Sequence, residues 1–256
     1  MRIILTGTGI SQGIPVIGCP CEACRSTDPL DKRLRTAALV QEGDTNVAID
    51  IGPDFRQQMM RAEVTALHAV VITHEHSDHV AGLDDVRPFN FTMRCEMPLY
   101  AEPRVLKALA QRFPYAFAPP EQRYPGAAAF DVRPIQRLLQ PLDVAGLPFL
   151  PFRVMHGRLP ITGYRVRDFA YITDCSALPE ESLAALRGLE VLVLNTLRYR
   201  PHPMHLTLAE SLAIVERLQP RRAFFTHVSH ELGPHRNVRD LPPNVRIAYD
   251  GMVIDL

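Results

Sequence analysis

His74, Glu75, His76, Ser77, Asp78 and His79 place three imidazoles and two carboxylates in six consecutive positions. These residue types hold metal ions, and at this density they point to ligands rather than to a solvated turn. The run follows Ala69-Val70-Val71-Ile72-Thr73, an apolar stretch that reads as a buried strand. A strand ending in such a cluster delivers several donors to one point at a sheet edge. His74 and His76 project together from the extended segment, and Asp78 and His79 curl back beside them on the next turn.

Three further apolar stretches each end in one donor. His156 closes Pro151-Phe152-Arg153-Val154-Met155, Asp174 closes Phe169-Ala170-Tyr171-Ile172-Thr173, and His227 closes Arg222-Ala223-Phe224-Phe225-Thr226. Strand ends along one sheet edge are where α/β architectures place their chemistry. The expected division is His74, His76 and His156 on one ion and Asp78, His79 and His227 on a second, with Asp174 bridging them. Two divalent ions ~3.5–4 Å apart hold a hydroxide and lower its pKa to ~7, which suits phosphodiester hydrolysis. Histidine and carboxylate donors accept Zn²⁺, Mn²⁺ or Fe²⁺ alike.

Cys19-Pro20-Cys21-Glu22-Ala23-Cys24 is the second strong signal. Three thiolates at this spacing make a closed, soft site that prefers zinc and needs a fourth ligand. His230, three residues beyond His227, is the natural candidate, and it would tie the loop at about 18–25 to a strand end carrying a metal ligand. The other two of the five cysteines, Cys95 and Cys175, are isolated, and an odd number without a secretory signal argues against a disulfide framework.

The elements that must position these donors follow from periodicity. Strands are expected at 2–6, 36–41, 46–51, 69–73, 98–101, 128–135, 149–155, 163–167, 169–173, 190–194, 222–226, 245–249 and 252–255. Helices are expected after Pro53 and at 103–111, 179–187 and 207–218, with 112–127 as an exposed loop or flap. Two sheet-forming halves, each with helices, fit a four-layered α/β sandwich with the helices outside. The 256 residues read as one hydrolase domain without repeat or linker. With 28 basic and 28 acidic residues, no global field draws in nucleic acid, which leaves a small charged substrate open. The opening Met1-Arg2-Ile3-Ile4-Leu5 reads as a strand rather than a signal peptide, and no apolar run is long enough for a membrane span. A cytoplasmic location is expected.

His74-Xaa-His76-Xaa-Asp78-His79, followed by single His, Asp and His at strand ends, resembles the metallo-β-lactamase superfamily of hydrolases over essentially the whole chain. The resemblance implies an αβ/βα sandwich with a dinuclear centre between the sheets. It also implies that Asp50, ending Val47-Ala48-Ile49, orients a metal-bound histidine, the alternative being a cap or turn aspartate. With its cysteine loop, and with Gly7-Thr8-Gly9-Ile10-Ser11-Gln12-Gly13-Ile14-Pro15 and Thr226-His227-Val228-Ser229-His230, the chain resembles more narrowly the PhnP-like phosphoribosyl cyclic phosphodiesterases. His205 then falls where that group keeps a further active-site histidine, able to protonate a leaving alkoxide or hold the phosphate. His202 is a competitor for that role, while His68 and His235 read as structural or surface residues. Arg87 is expected either at the substrate phosphate or in an ion pair with Asp84 or Asp85, and Cys175 stands where small hydroxyl residues are frequent.

The resemblance implies hydrolysis of a ribose 1,2-cyclic phosphate or a 2′,3′-cyclic nucleotide by a homodimer with two catalytic divalent ions, zinc or manganese, and one structural zinc. Asp78 and His205 are its expected catalytic residues. A tRNA 3′-processing endonuclease is the alternative, followed by a glyoxalase II-type thioesterase and a non-catalytic relative.

Overall fold

The computed structural model describes residues 1–256 and contains fourteen strands in two seven-stranded sheets. The first half supplies β1 (Arg2–Gly7), β2 (Ala37–Glu42), β3 (Thr45–Ile49), β4 (Ala69–Val71), β5 (Met97–Ala101) and β6 (Phe130–Pro134). The second half supplies β7 (Leu142–Val144), β8 (Leu147–His156), β9 (Leu159–Val166), β10 (Phe169–Ile172), β11 (Val191–Asn195), β12 (Arg222–Thr226) and β13 (Val245–Ile247). Strand β14 (Met252–Asp255) crosses back to pair with β1, giving the orders β14-β1-β2-β3-β4-β5-β6 and β13-β12-β11-β10-β9-β8-β7.

Alternation along the strands explains why the sheets stack. In β3, Val47 and Ile49 enter the core between the sheets while Ala48 faces the helices; in β11, Val191 and Val193 face inward and Leu192 and Leu194 outward. Both faces are thus apolar, the pattern of strands covered on both sides. Three apolar clusters of 23, 22 and 21 buried residues follow, so neither helical layer is a minor appendage to the sandwich. Helices α1 (Glu22–Arg25), α2 (Phe55–Arg61), α3 (Ser77–Val80), α4 (Arg87–Met93) and α5 (Pro103–Arg112) belong to the first half, and α6 (Glu180–Ala185) and α7 (Leu208–Leu218) to the second. Phe55, Met59, Phe89, Val105 and Leu106 cover the first sheet, and Leu183, Val215 and Leu218 the second. No helix is long and apolar enough to cross a membrane.

The expected four-layered α/β sandwich is therefore present. Two details differ. The three-residue strand β7 lies in a stretch whose sequence carries too little periodicity to reveal it. Segment 112–127 is not simply an exposed flap: Ala116 is fully buried and the Phe117 ring stacks on Phe130 with centroids 5.6 Å apart. Its aromatic residues were outweighed in the sequence by prolines, yet they supply apolar surface to the outer core.

Candidate metal centre

The donors converge where both sheets present their strand ends. Three of them sit in the left-handed backbone region just past a strand: Asp50 (φ 66°), Asp174 (φ 50°) and His227 (φ 55°). Asp and His tolerate this region better than branched residues do, and strain of this kind collects at functional sites. Gly52 and Gly82 let the chain pass tightly behind the ligand loop; a Cβ on Gly52 would lie 2.0 Å from the Asp78 carbonyl oxygen. Beneath the loop, the buried Tyr164 hydroxyl of the second sheet donates to the Ile72 carbonyl of the first at 2.7 Å.

Two donor sets result. In the first, the ligand atoms of His74, His76 and His156 all lie within 4.8 Å of one another. The Nδ1 of His156 faces the Met204 carbonyl at 2.9 Å, which leaves its Nε2 for the site. In the second set, Asp78, His79, Asp174 and His227 meet the same limit. His79 Nε2 is 3.2 Å from both Asp78 and Asp174, and His227 Nε2 is 3.1 Å from the other Asp174 oxygen. A third grouping, His156, Asp174 and His205, shares two members with these.

These residues fit divalent ions. His79 Nε2 and both ring nitrogens of His227 are buried without a hydrogen-bond partner, and such orphaned groups are costly unless something satisfies them. Burial opposes a charged His79, but Asp174, Asp50 and Asp78 outweigh it and raise its pKa well above the ordinary histidine value. Burial likewise opposes a charged Asp174, yet His227 and His79 hold it well below the usual carboxylate range. Three carboxylates around one imidazole leave a buried negative excess, which a bound cation would neutralise.

Asp50 stands behind His79. Its carboxylate accepts from the Thr73 backbone N–H at 2.8 Å and lies 2.7 Å from His79 Nδ1, directing Nε2 forward. It does not cap a helix, because Asp54 precedes α2. Asp50→Asn is expected to weaken metal binding by about 10- to 100-fold, the usual cost of losing a carboxylate behind a ligating histidine. Titration with metal under a competing chelator measures it, and an unchanged affinity would assign Asp50 to the fold alone.

The cysteine loop also closes on itself. Cys19 and Cys21 Sγ lie 3.4 and 3.3 Å from His230 Nδ1, and with Cys24 they form one donor cluster. Cys21 caps α1, accepting from the Cys24 backbone N–H at 3.4 Å. Burial raises the Cys21 thiol, but the hydrogen bonds from Cys24 N–H, His230 and the neighbouring thiols outweigh it and bring it down to about 6. Burial pushes Cys24 up to about 11. Three sulfurs with one imidazole are zinc's preferred donor set.

His205 Nδ1 lies 3.1 Å from Asn195 Oδ1 and 3.9 Å from Asp174. Burial first, and then His227, lowers its pKa to about 2, so it is a neutral imidazole at neutral pH. The His202 ring is 5.0 Å away, with its Nδ1 accepting from the Met204 N–H. Arg87 forms no ion pair with Asp84 or Asp85; its Nε donates to the Asp84 carbonyl at 3.0 Å. His68 accepts from the Asn46 N–H, and His235 lies beside buried Arg33, both structural positions.

The sequence reading missed Asn195. It ends the wholly apolar β11 at the edge that also carries Asp174 and His227, a signal of the same type as theirs, and its Nδ2 is buried without a partner. Also missed was a cavity of about 300 Å³ between the metal donors and the cysteine cluster, lined by Ser11, Gln12, Arg198, His202, His205 and His230, among others. A larger hollow of about 650 Å³ opens near edge strands β13 and β14 and lies away from the converged donors.

Residues 45–228 match the β-lactamase superfamily domain. The chain belongs to the metallo-β-lactamase superfamily, and its fold and donors are those of a metal-dependent hydrolase. Within that superfamily, the crystal structure of a new diphosphatase from the PhnP family superposes with a TM-score of 0.91 at 39% identity, covering 100% of this chain and 97% of the other. Zn²⁺-bound PqqB from Methylobacterium extorquens superposes with a TM-score of 0.79 over the full length of both chains; at 19% identity it supports the fold alone. An octanoyltransferase from Porphyromonas gingivalis is 38% identical over 255 residues. That match covers 98% of this chain, which spans about half (51%) of the relative's length.

Proposed function

We propose that this chain, acting as one hydrolase domain over residues 1–256, opens small cyclic phosphodiesters such as ribose 1,2-cyclic phosphate or 2′,3′-cyclic nucleotides. The observation that carries this reading is the cavity of about 300 Å³ that His205 and His227 line, which adjoins the converged donors through His227 and has room for a sugar phosphate. His74, His76 and His156 would hold one divalent ion and Asp78, His79 and His227 the other, with Asp174 between them; zinc or manganese suits both, and Cys19, Cys21, Cys24 and His230 suit a structural zinc. When bound, the pair of ions supplies Lewis-acid polarisation of the phosphoryl group and an acidified water as nucleophile.

The protein's own groups do the rest. Asp78 and Asp174 hold negative charge at the centre, and buried walls keep that field unscreened. Asn195 sets the tautomer of His205. With its amide turned so that Nδ2 donates to His205 Nδ1, the ring presents Nε2–H to a substrate oxygen, and the orphaned amide nitrogen gains a partner. His205 thus holds a phosphate oxygen through Nε2–H, whereas the neutral ring could protonate a leaving alkoxide only by becoming an imidazolate. His205→Ala is expected to lower turnover about 10²- to 10³-fold at unchanged metal content, the usual cost of losing one preorganised donor. A fall in metal content instead would place His205 in the donor set with His156 and Asp174.

A second reading, cleavage of a small diphosphate, is favoured by the similar diphosphatase, whose phosphoanhydride substrate would present the same charged oxygens. A tRNA endonuclease fits less well. In the 112–137 stretch Arg112 binds the Glu75 carbonyl and Ser77, Arg123 pairs with Glu96 and Arg133 with Asp131, which weakens any grip on a phosphate backbone. The test compares metal-reconstituted protein on ribose 1,2-cyclic phosphate, 2′,3′-cyclic nucleotides, a nucleoside diphosphate and a pre-tRNA, with Asp78→Ala as control. Turnover of cyclic phosphates alone, lost in the variant, supports the reading. Diphosphate or pre-tRNA cleavage alone replaces it, and silence on all four favours a thioesterase or a non-catalytic relative.

A further inference from the structure

We propose that Arg104, through Glu75, is a positioning residue that locks the three-histidine donor set together across the two sheets. The inference rests on reading His74, His76 and His156 as ligands. Glu75 lies between two of them, and in extended backbone its side chain points the opposite way from theirs. Its carboxylate pairs with Arg104 Nη1, while Arg104 Nη2 donates to the Pro160 carbonyl at 2.8 Å. Pro160 belongs to β9, in the hairpin that follows His156. One guanidinium therefore grips both the loop that carries His74 and His76 and the hairpin that carries His156.

The rest of α5 acts as a strut for this grip. Arg112, at its far end, donates to the Glu75 carbonyl at 2.7 Å and to the Ser77 hydroxyl at 2.9 Å, flanking His76 on both sides. Glu102, at its start, accepts both Arg153 Nη groups and the Thr162 hydroxyl at 2.7 Å, fastening the helix to β8 and β9. His76 is exposed and its ring meets chiefly the His74 and His156 rings, with centroids 4.6 and 5.3 Å away, so its placement follows the backbone on which it and His74 sit. The second donor set has its own support in Asp50 and the close Gly52–Asp78 approach, and makes no contact with Arg104.

Arg104→Ala is therefore expected to loosen one metal site and spare the other. Calorimetric titration of the metal-stripped full chain with Zn²⁺, with the cysteine cluster counted apart as a third step, should show one of the two histidine–carboxylate steps weakened about 10- to 100-fold, the other unchanged, and the metal-free melting temperature little altered. Arg104→Lys should rescue only partly, because an ammonium cannot present two fixed donors to two partners. Glu75→Gln should shift the same step by less. Equal shifts in both steps, full rescue by lysine, or no shift at all would overturn the proposal. His74→Ala separates the two levels: it must abolish one step if the ligand reading is right. If it does so while Arg104→Ala changes nothing, the clamp fails and the site stands; if it abolishes neither step, the ligand reading itself fails.

Discussion

Replacing Asp174 with alanine is expected to lower kcat/KM by about a thousandfold or more, equivalent to ~4 kcal/mol of transition-state stabilisation, and to reduce bound metal at the same time. No other carboxylate occupies its position. One oxygen lies 3.1 Å from His227 Nε2 and 3.9 Å from His156 Nε2, and the other is 3.2 Å from His79 Nε2. It therefore touches members of both donor sets, and its loss would leave an imidazole of each without its anionic partner. The fold should survive, because Asp50 and Asp78 still face His79 and the backbone of β10 is held by its ladders to β9 and β11. Asp174→Asn sharpens the test. The amide keeps the size of the group and can accept from the Thr173 hydroxyl, which now donates to Asp174 at 2.6 Å, but it carries no charge. Activity within tenfold of wild type in the asparagine variant, with full metal content, would remove Asp174 from the bridging role. The measurements are steady-state kinetics and elemental analysis on the same preparations.

How much of this was legible beforehand differs by level. The strand ends were legible because buried apolar runs terminate in single polar residues, and such a residue at the end of a covered strand has little to do there except chemistry. That rule located His156, Asp174 and His227, and strand β12 and helix α7 have the expected placement to within a residue. The same rule applied to Val191-Leu192-Val193-Leu194 singles out Asn195 as well. What a single sequence does not carry is orientation. The left-handed φ at Asp50, Asp174 and His227 turns three side chains toward one point, and it depends on both sheets being stacked, not on local propensity. Glu75 illustrates the same limit: inside a run of ligands it invites reading as a ligand, and only the position of α5 reveals that it faces Arg104. Short elements such as α1 and α3 were invisible for a related reason, since four-residue turns are set by the donors they carry.

The cysteine cluster supports the second large prediction, because it joins two parts of the chain more than two hundred residues apart. Cys19, Cys21 and Cys24 belong to the N-terminal loop, while His230 follows β12 and the metal donor His227. Gly9 forms bridges to both Arg35 and Val228, so the loop and the strand end are also stitched through backbone. A metal ion bound at a thousandfold excess over its Kd contributes ~4 kcal/mol to the folded state. Cys24→Ser, which removes the buried sulfur of the set, is therefore expected to lower Tm by roughly 8–16 °C for a chain of this size. Activity should fall too, and by a particular route. Ser229, His230 and Glu231 line the cavity beside His227, and Glu231 pairs with Arg198, which also lines it. Loosening His230 should thus disturb the substrate wall more than the ions, raising KM while kcat and the content of the two histidine–carboxylate sites change little. Exposed Cys95 provides the control, since Cys95→Ser touches no donor cluster and should leave both Tm and KM as they are. If Cys24→Ser instead lowered kcat and emptied the catalytic donors at constant KM, the cluster would be supporting His227 directly and the cavity only by consequence. An unchanged Tm together with unchanged KM would mean that the three thiols and His230 hold no metal at all.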